Sequence, residues 1–171
     1  MKYDGYRGLL YVEHGNPRLI SRNGRTMKRF STLAWALVPL IDAEAAILDG
    51  EIITKDASGR PIFLDLMRRP NDASYVAFDL LWVDGQDLRR KPLLERKLAL
   101  ARLLPRGKPL IEEALYVADR GLKLYQLVQN HDLEGIIAKR KDGAYSPSSP
   151  WLKILNPGYS QAEGRGELFR R

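Results

Sequence analysis

At 171 residues with 44% hydrophobic content, the chain can bury one good core but not two generous domains. It has no cysteine, which excludes disulfides and thiolate metal sites and fits a reducing cytoplasm, and its two histidines are too few for a His-rich metal centre. A net charge of +7 suits a polyanionic partner, nucleotide or nucleic acid, and equally an ordinary basic soluble protein.

Taken in chain order, residues 6–13 are rich in strand formers, His14-Gly15-Asn16-Pro17 signals a turn, and 18–22 reads as the returning strand before the tight turn Asn23-Gly24. Ser31 is placed to cap a helix over 32–41. Residues 45–54 read as a buried strand, 56–59 as a turn, and 62–68 as a short helix. The most apolar strand is 75–83, ended by Asp84-Gly85. Helical periodicity marks 93–104, with basic residues on the face away from the leucines. A strand over 110–117, a helix over 121–132 and a strand over 135–140 follow, then a Ser/Pro-rich loop and a last strand over 151–155. Strands and helices do not alternate regularly, so the expected class is α+β, antiparallel sheets with flanking helices. No apolar run nears the ~20 residues of a membrane span, since the longest, 33–41, contains Pro39. From Asn156 the composition turns to glycine and polar residues, predicting one domain over 1–157 and a polar tail over 158–171.

Candidate chemistry concentrates in five segments: Lys2-Tyr3-Asp4-Gly5-Tyr6-Arg7, Leu48-Asp49-Gly50-Glu51, Ala77-Phe78-Asp79-Leu80-Leu81, Glu134-Gly135-Ile136-Ile137-Ala138-Lys139 and Trp151-Leu152-Lys153. Singly, each has a bland reading. The first is an amphipathic strand with a solvated lysine, Phe78 is a core aromatic, and each later lysine is a surface residue. In this order they resemble the adenylation domain of ATP-dependent DNA ligases of bacterial type, over Lys2 to about Lys153.

The resemblance implies a DNA ligase/mRNA capping nucleotidyltransferase core, ATP-grasp-like, with Lys2 as the nucleophile that forms lysyl–AMP. A lysine amine attacks only when neutral, and its ordinary pKa of ~10.4 must be lowered by nearby cations or desolvation. By the same resemblance Asp4 and Gly5 shape the turn after the nucleophile, and Gly5 allows close approach of the nucleotide. Arg7 binds near the ribose and transferred phosphate. Arg22 contacts the nucleotide and the nicked strand, unless it is merely a solvated hairpin-end arginine. Glu51 holds the ribose hydroxyl or a metal, Phe78 stacks on adenine, and Glu134 is the more direct metal ligand. Lys139 and Lys153 face the phosphate. The implied cofactors are ATP and Mg2+ or Mn2+. The implied partners are nicked double-stranded DNA and a separate chain supplying an oligonucleotide-binding barrel, with no membrane and a cytoplasmic location.

Three departures from the family pattern stand out. Only Met1 precedes Lys2, and a terminal residue frays. Leu155 stands where the family's Trp-x-Lys-x-Lys carries its second lysine, a loss worth roughly a hundredfold in rate. No barrel-sized segment follows Lys153 to close over ATP. These favour an alternative, a non-catalytic nucleotide- or nucleic-acid-binding module, and an RNA ligase or capping-type enzyme is the third reading. The basic run Arg89-Arg90-Lys91 with Arg96, Lys97 and Arg102 reads either as a DNA-backbone track or as a solvated helix face.

Overall fold

Alternation in Tyr6–Glu13 (β1) turns Gly8, Leu10 and Val12 inward and leaves Arg7 on the opposite side. Asn16–Ser21 (β2) returns antiparallel to it through a turn in which His14 and Gly15 both take positive φ. The chain then passes through a short 3-10 turn into Ser31–Leu37 (α1) and crosses to Ala45–Ile53 (β3), which lies on the other edge of β1. After Phe63–Arg68 (α2), Ser74–Val83 (β4) pairs with β3, and Gln86–Asp87 (β5) folds back on it. Leu93–Leu103 (α3) carries the chain to Ile111–Glu113 (β6), which joins β4 in parallel, the one parallel pairing of a sheet otherwise antiparallel. Gly121–Asn130 (α4) precedes Gly135–Ala138 (β7) and Leu152–Leu155 (β8), which form a second, two-stranded sheet. The computed structural model describes residues 1–162. The expected α+β class with antiparallel sheets and flanking helices is the observed one.

Register fixes the core. Leu19 lies opposite Leu10, Leu10 opposite Leu48, and Leu48 opposite Leu80, so four leucines make one row across four strands. All are buried, and Leu37, Leu66 and Leu100 from α1, α2 and α3 pack into the same cluster. Each such side chain removed from water is worth ~1.5–3 kcal/mol, so this face is the stabilising one. The other face carries Arg7, Asp49, Glu51 and Phe78, charged and aromatic side chains in place of the leucine row. A small apolar group of Ile53, Val76 and Ala114, with Tyr3 and Phe78 against it, supports that side. Among the described residues no helix is long and apolar enough to cross a membrane.

Several sequence expectations change. Helix α1 stops at Leu37, and Val38–Leu40 continues as a 3-10 turn instead of helix to Ile41. Pro39 has no N–H to give the turn before it, which breaks the α ladder. Ser31 makes no side-chain cap. The strand expected over 110–117 is only three residues long, because pairing with β4 ends once Ala114 N–H donates to Ala77 O at 2.8 Å. Leu115, Tyr116 and Val117 then leave the sheet half-exposed as a wall. Arg96 and Lys97 do not belong to a DNA track or a solvated face. Both are buried, paired with Asp79 and Glu113 respectively, while exposed Arg89 is engaged by Asp87.

The segment from Asn156 through Ala162 is not a loose tail. Asn156 and Tyr159 are buried, and Ser160–Ala162 forms a 3-10 turn. The remainder of the expected tail, 163–171, lies outside the described residues.

Candidate active site

Lys2 is ordered by the second sheet. Its backbone N–H donates to Gly135 O at 2.8 Å, an isolated antiparallel bridge to the start of β7. The bridge places the Lys2 Nζ against Glu134, with which it forms a salt bridge. Gly135, at φ 153°, permits the close approach of β8. A Cβ there would sit 2.4 Å from Ile154 O, so no side chain fits between β7 and β8 at this point.

Gly5 also answers a backbone, but that of β3. A Cβ would meet Ile52 O at 2.0 Å. Its missing side chain therefore serves packing against the sheet, whereas the sequence assigned the space to a nucleotide. Asp4 is buried and accepts a hydrogen bond from the Tyr159 hydroxyl at 2.9 Å. Neither Asp4 nor Gly5 lines the cleft.

Seven of the other predicted residues do. Lys2, Arg7, Arg22, Glu51, Phe78, Lys139 and Lys153 all face one cleft of ≈ 340 Å³, walled on its apolar side by Leu115, Tyr116 and Val117. Glu134 stands behind Lys2, outside the lining. Arg22 and Lys153 are exposed rim cations; Phe78 is half-buried, between the small apolar cluster and the open cleft. The two expected carboxylates are near enough that the charge of Glu134 raises the pKa of Glu51. Among the described residues no group of three or more acidic or histidine side chains gathers as a metal cage. One or two carboxylates completed by phosphate oxygens is the usual donor set for Mg2+ beside a nucleotide, and Glu51 with Glu134 fits it.

The residues that sequence reasoning missed surround Arg7. Its guanidinium makes a two-pronged contact with Asp49, Nε to Oδ1 at 3.0 Å and Nη2 to Oδ2 at 2.6 Å. Tyr145 donates its hydroxyl to Asp49 Oδ2 at 2.8 Å and accepts from Arg7 Nη2 at 3.2 Å. Burial works against the Arg7 charge, but the bonds and charge of Asp49 outweigh it and raise the pKa. Asp49 lies two residues before Glu51 on β3, so the strand pleat aims both at the cleft face, a spacing that was readable. Tyr145 had no such signal, since it sits in the Ser/Pro-rich loop.

Trp151 was read only as part of a motif. In the structure its ring meets Phe78 edge-on, with centroids 5.7 Å apart, and the Lys139 ammonium lies 3.6 Å from its centroid and 4.5 Å from that of Phe78. Burial lowers the Lys139 pKa to about 8, against the pull of Asp79 and Asp49. Lys139 rests on these aromatic faces and lines the cleft. Leu155 lies opposite Gly135 in the β7–β8 register, exposed.

Glu51 supplies a pH test. Burial pushes its pKa from 4.5 to about 8, against the attraction of Lys2 and Arg7. The folded protein keeps this proton where the unfolded chain has lost it. The contribution of Glu51 to stability is therefore complete below the ordinary value and declines as pH rises towards about 8. In urea denaturation across that range, wild type should lose stability relative to Glu51→Gln, and parallel curves for the two proteins would contradict the assignment.

Residues 1–154 match the ATP dependent DNA ligase domain. The chain is 31% identical over 176 residues to the multifunctional non-homologous end joining protein LigD of Mycolicibacterium smegmatis, covering 95% of this chain and 23% of that protein. It is 30% identical over 172 residues to the SPbeta prophage-derived DNA ligase-like protein LigB of Bacillus subtilis, covering 94% of this chain and 62% of that one. A mycobacterial DNA ligase D structure complexed with ATP and MES superposes with a TM-score of 0.72 at 32% identity, covering 91% of this chain and 52% of that chain. The first of these relatives is thus about four times the matched length. Matched along nearly its whole length, this chain belongs to the ATP dependent DNA ligase domain family.

Proposed function

We propose that this chain is an ATP-dependent DNA ligase-type adenylyltransferase domain in which Lys2 takes AMP from ATP and passes it to a 5′-phosphate at a nick in double-stranded DNA. The observation that carries the reading is convergence. Lys2, Glu51 and the cations Arg7, Lys139 and Lys153 line one cleft, with Glu134 paired to Lys2 just behind it, although they come from segments on or beside both sheets.

In the first step the Lys2 amine attacks the α-phosphorus. An N–P bond forms, the bond from that phosphorus to the bridging oxygen of pyrophosphate breaks, and a proton leaves the amine. In the second, an oxygen of the DNA 5′-phosphate attacks the same phosphorus, the N–P bond breaks and the amine is restored. Glu134 holds Lys2 at the cleft before nucleotide arrives. Arg7, fixed by Asp49 and Tyr145, is aimed without needing to search rotamers, so its ordering cost is already met. Lys139 and Lys153 offset the charge that develops on the phosphoryl oxygens. Phe78, with Ile137 also lining the cleft, offers adenine an apolar face. Mg2+ or Mn2+ held by Glu51 and Glu134 would add Lewis-acid stabilisation of the same oxygens. An oligonucleotide-binding barrel would close the site over ATP. The setting is cytoplasmic.

The test is incubation with α-labelled ATP and Mg2+ or Mn2+, a denaturing gel, and mass mapping, followed by a chase with nicked DNA. An AMP adduct on Lys2 that transfers to DNA is the expected result. No adduct with any nucleoside triphosphate would remove the catalytic reading. Exposed Leu155, in place of a phosphate-facing lysine, favours a second reading as a non-catalytic binding module, for which nucleotide would bind without an adduct. Guanine preference would instead indicate a capping-type enzyme, and transfer to nicked RNA an RNA ligase.

A further inference from the structure

Four short segments meet behind the nucleophile, and the residues joining them belong to the stretch whose composition suggested a tail. Tyr159 reaches across 155 positions of sequence to donate its hydroxyl to Asp4 Oδ2 at 2.9 Å, with both residues buried. Burial, reinforced by the charges of Glu134 and Asp132, raises the Tyr159 pKa, so the phenol remains a proton donor. Asn156 works on the other member of the ion pair. Its backbone N–H donates to Glu134 O at 2.9 Å and its side-chain Nδ2 to Leu133 O at 3.0 Å. Beyond them, the Ser160 N–H bonds Asp132 Oδ1 at 2.8 Å, and the Gln161 amide spans Pro61 O and Phe63 N–H at 3.0 and 3.3 Å.

We infer that Asn156–Gln161 is a clasp that sets the geometry of the nucleophile, with Tyr159 as a positioning residue for Lys2 acting through Asp4, and Asn156 performing the same service for Glu134. Lys2 makes one backbone bond, to β7. On the cleft side the segment is held at Leu115, whose carbonyl accepts from the Met1 ammonium at 2.8 Å and whose N–H donates to the Tyr3 hydroxyl at 3.2 Å; on the opposite side Asp4, two residues after Lys2, is where the clasp grips it. The reach of an amine onto a phosphorus tolerates little displacement, and an error of about 1 Å at the reacting atoms costs up to about a hundredfold. A hydroxyl that pins the turn two residues away therefore bears on rate more than on nucleotide affinity. Nothing in the clasp faces the cleft, so its loss should leave the ATP contacts in place.

Tyr159→Phe tests this, since it removes one oxygen and keeps the ring. The inference rests on Lys2 being the AMP acceptor, and two readouts separate its failure from the failure of that assignment. The first is the rate of adduct formation per folded molecule, expected to fall about tenfold with ATP affinity unchanged. The second needs no ATP. Trace acetylation with acetic anhydride measures the freedom and reactivity of the Lys2 amine against exposed Lys123 in the same molecule. Unclasped, Lys2 should be acetylated about threefold faster relative to Lys123, because local opening exposes it. A looser amine that reacts faster with a small reagent and slower with ATP is the signature of lost positioning. Thermal melting accompanies both. A lower Tm with both rates unchanged would make Tyr159 a packing residue only and overturn the inference, as would no change in any of the three. If wild type forms no adduct, the functional assignment falls and the acetylation ratio alone decides on the clasp.

Discussion

Lys2→Arg should abolish the covalent AMP adduct while retaining ATP binding, and Lys2→Ala should abolish it too. The two substitutions fail for different reasons. A guanidinium stays protonated at any accessible pH and has no lone pair for phosphorus, but it keeps the positive charge opposite Glu134. Alanine removes charge and nucleophile together. Glu134 and Glu51 are then left as neighbouring acids with less compensation, which favours a divalent cation between them and raises the Glu51 pKa further. Adduct formation should drop by several orders of magnitude in both variants, below detection on a gel. Calorimetric titration with ATP and Mg2+ should show binding by Lys2→Arg close to that of wild type. Adduct remaining on Lys139 or Lys153 in either variant would move the nucleophile elsewhere in the cleft and unseat the proposed mechanism.

The largest stability loss should come from the pair beneath that cleft. Arg96 on α3 reaches into the sheet and grips Asp79, Nε to Oδ1 at 2.7 Å and Nη2 to Oδ2 at 2.9 Å, with both side chains essentially out of solvent. The remaining guanidinium nitrogen donates to the carbonyls of Lys91 and Gly143 at 2.5 and 3.0 Å. One side chain therefore ties β4, the entry to α3 and the loop that carries Tyr145. Truncating either partner alone leaves a buried charge, at a typical cost of 3–5 kcal/mol, roughly. Arg96→Met and Asp79→Ala should each lower the denaturation midpoint accordingly. The double change Arg96→Met with Asp79→Leu should recover much of the loss, since an apolar pair avoids desolvating two ions. Equal, additive losses in the double variant would show that the charges are not coupled. Arg96→Met should also weaken adenylation beyond its effect on folding, because Gly143 and Tyr145 lose their anchor and Arg7 loses part of its support.

These two outcomes reflect how unevenly the sequence disclosed the molecule. The strands β1, β3 and β4 and the helix α3 follow from alternation and helical period, which are local properties. The five motifs identified the cleft because each is contiguous and its order along the chain was informative. Bonds between distant positions left no local mark. Tyr145 and Asp49 are 96 residues apart, and neither a tyrosine in a Ser/Pro-rich loop nor an aspartate before Gly-Glu announces the other. Arg96 and Lys97 looked like a solvated basic face because charge was legible and its partners were not. The same limit applied to Asn156–Gln161, where glycine and polar residues signal looseness unless each side chain has a partner, as these do. Leu115–Val117 failed in the opposite direction, since strand-forming side chains were used as a cleft wall.

The aromatic seat of Lys139 makes the site visible in solution. Of the three indoles, Trp35 is largely exposed on α1 and Trp82 lies towards the far end of β4, and among the described residues it is Trp151 that carries an ammonium and a guanidinium against its ring. A nucleotide that draws those cations to its phosphates strips positive charge from one chromophore and leaves two unaltered. Ligand occupancy should then register as a change in intrinsic emission that saturates with ATP and vanishes in Trp151→Phe, giving an optical titration of the unmodified protein without any label.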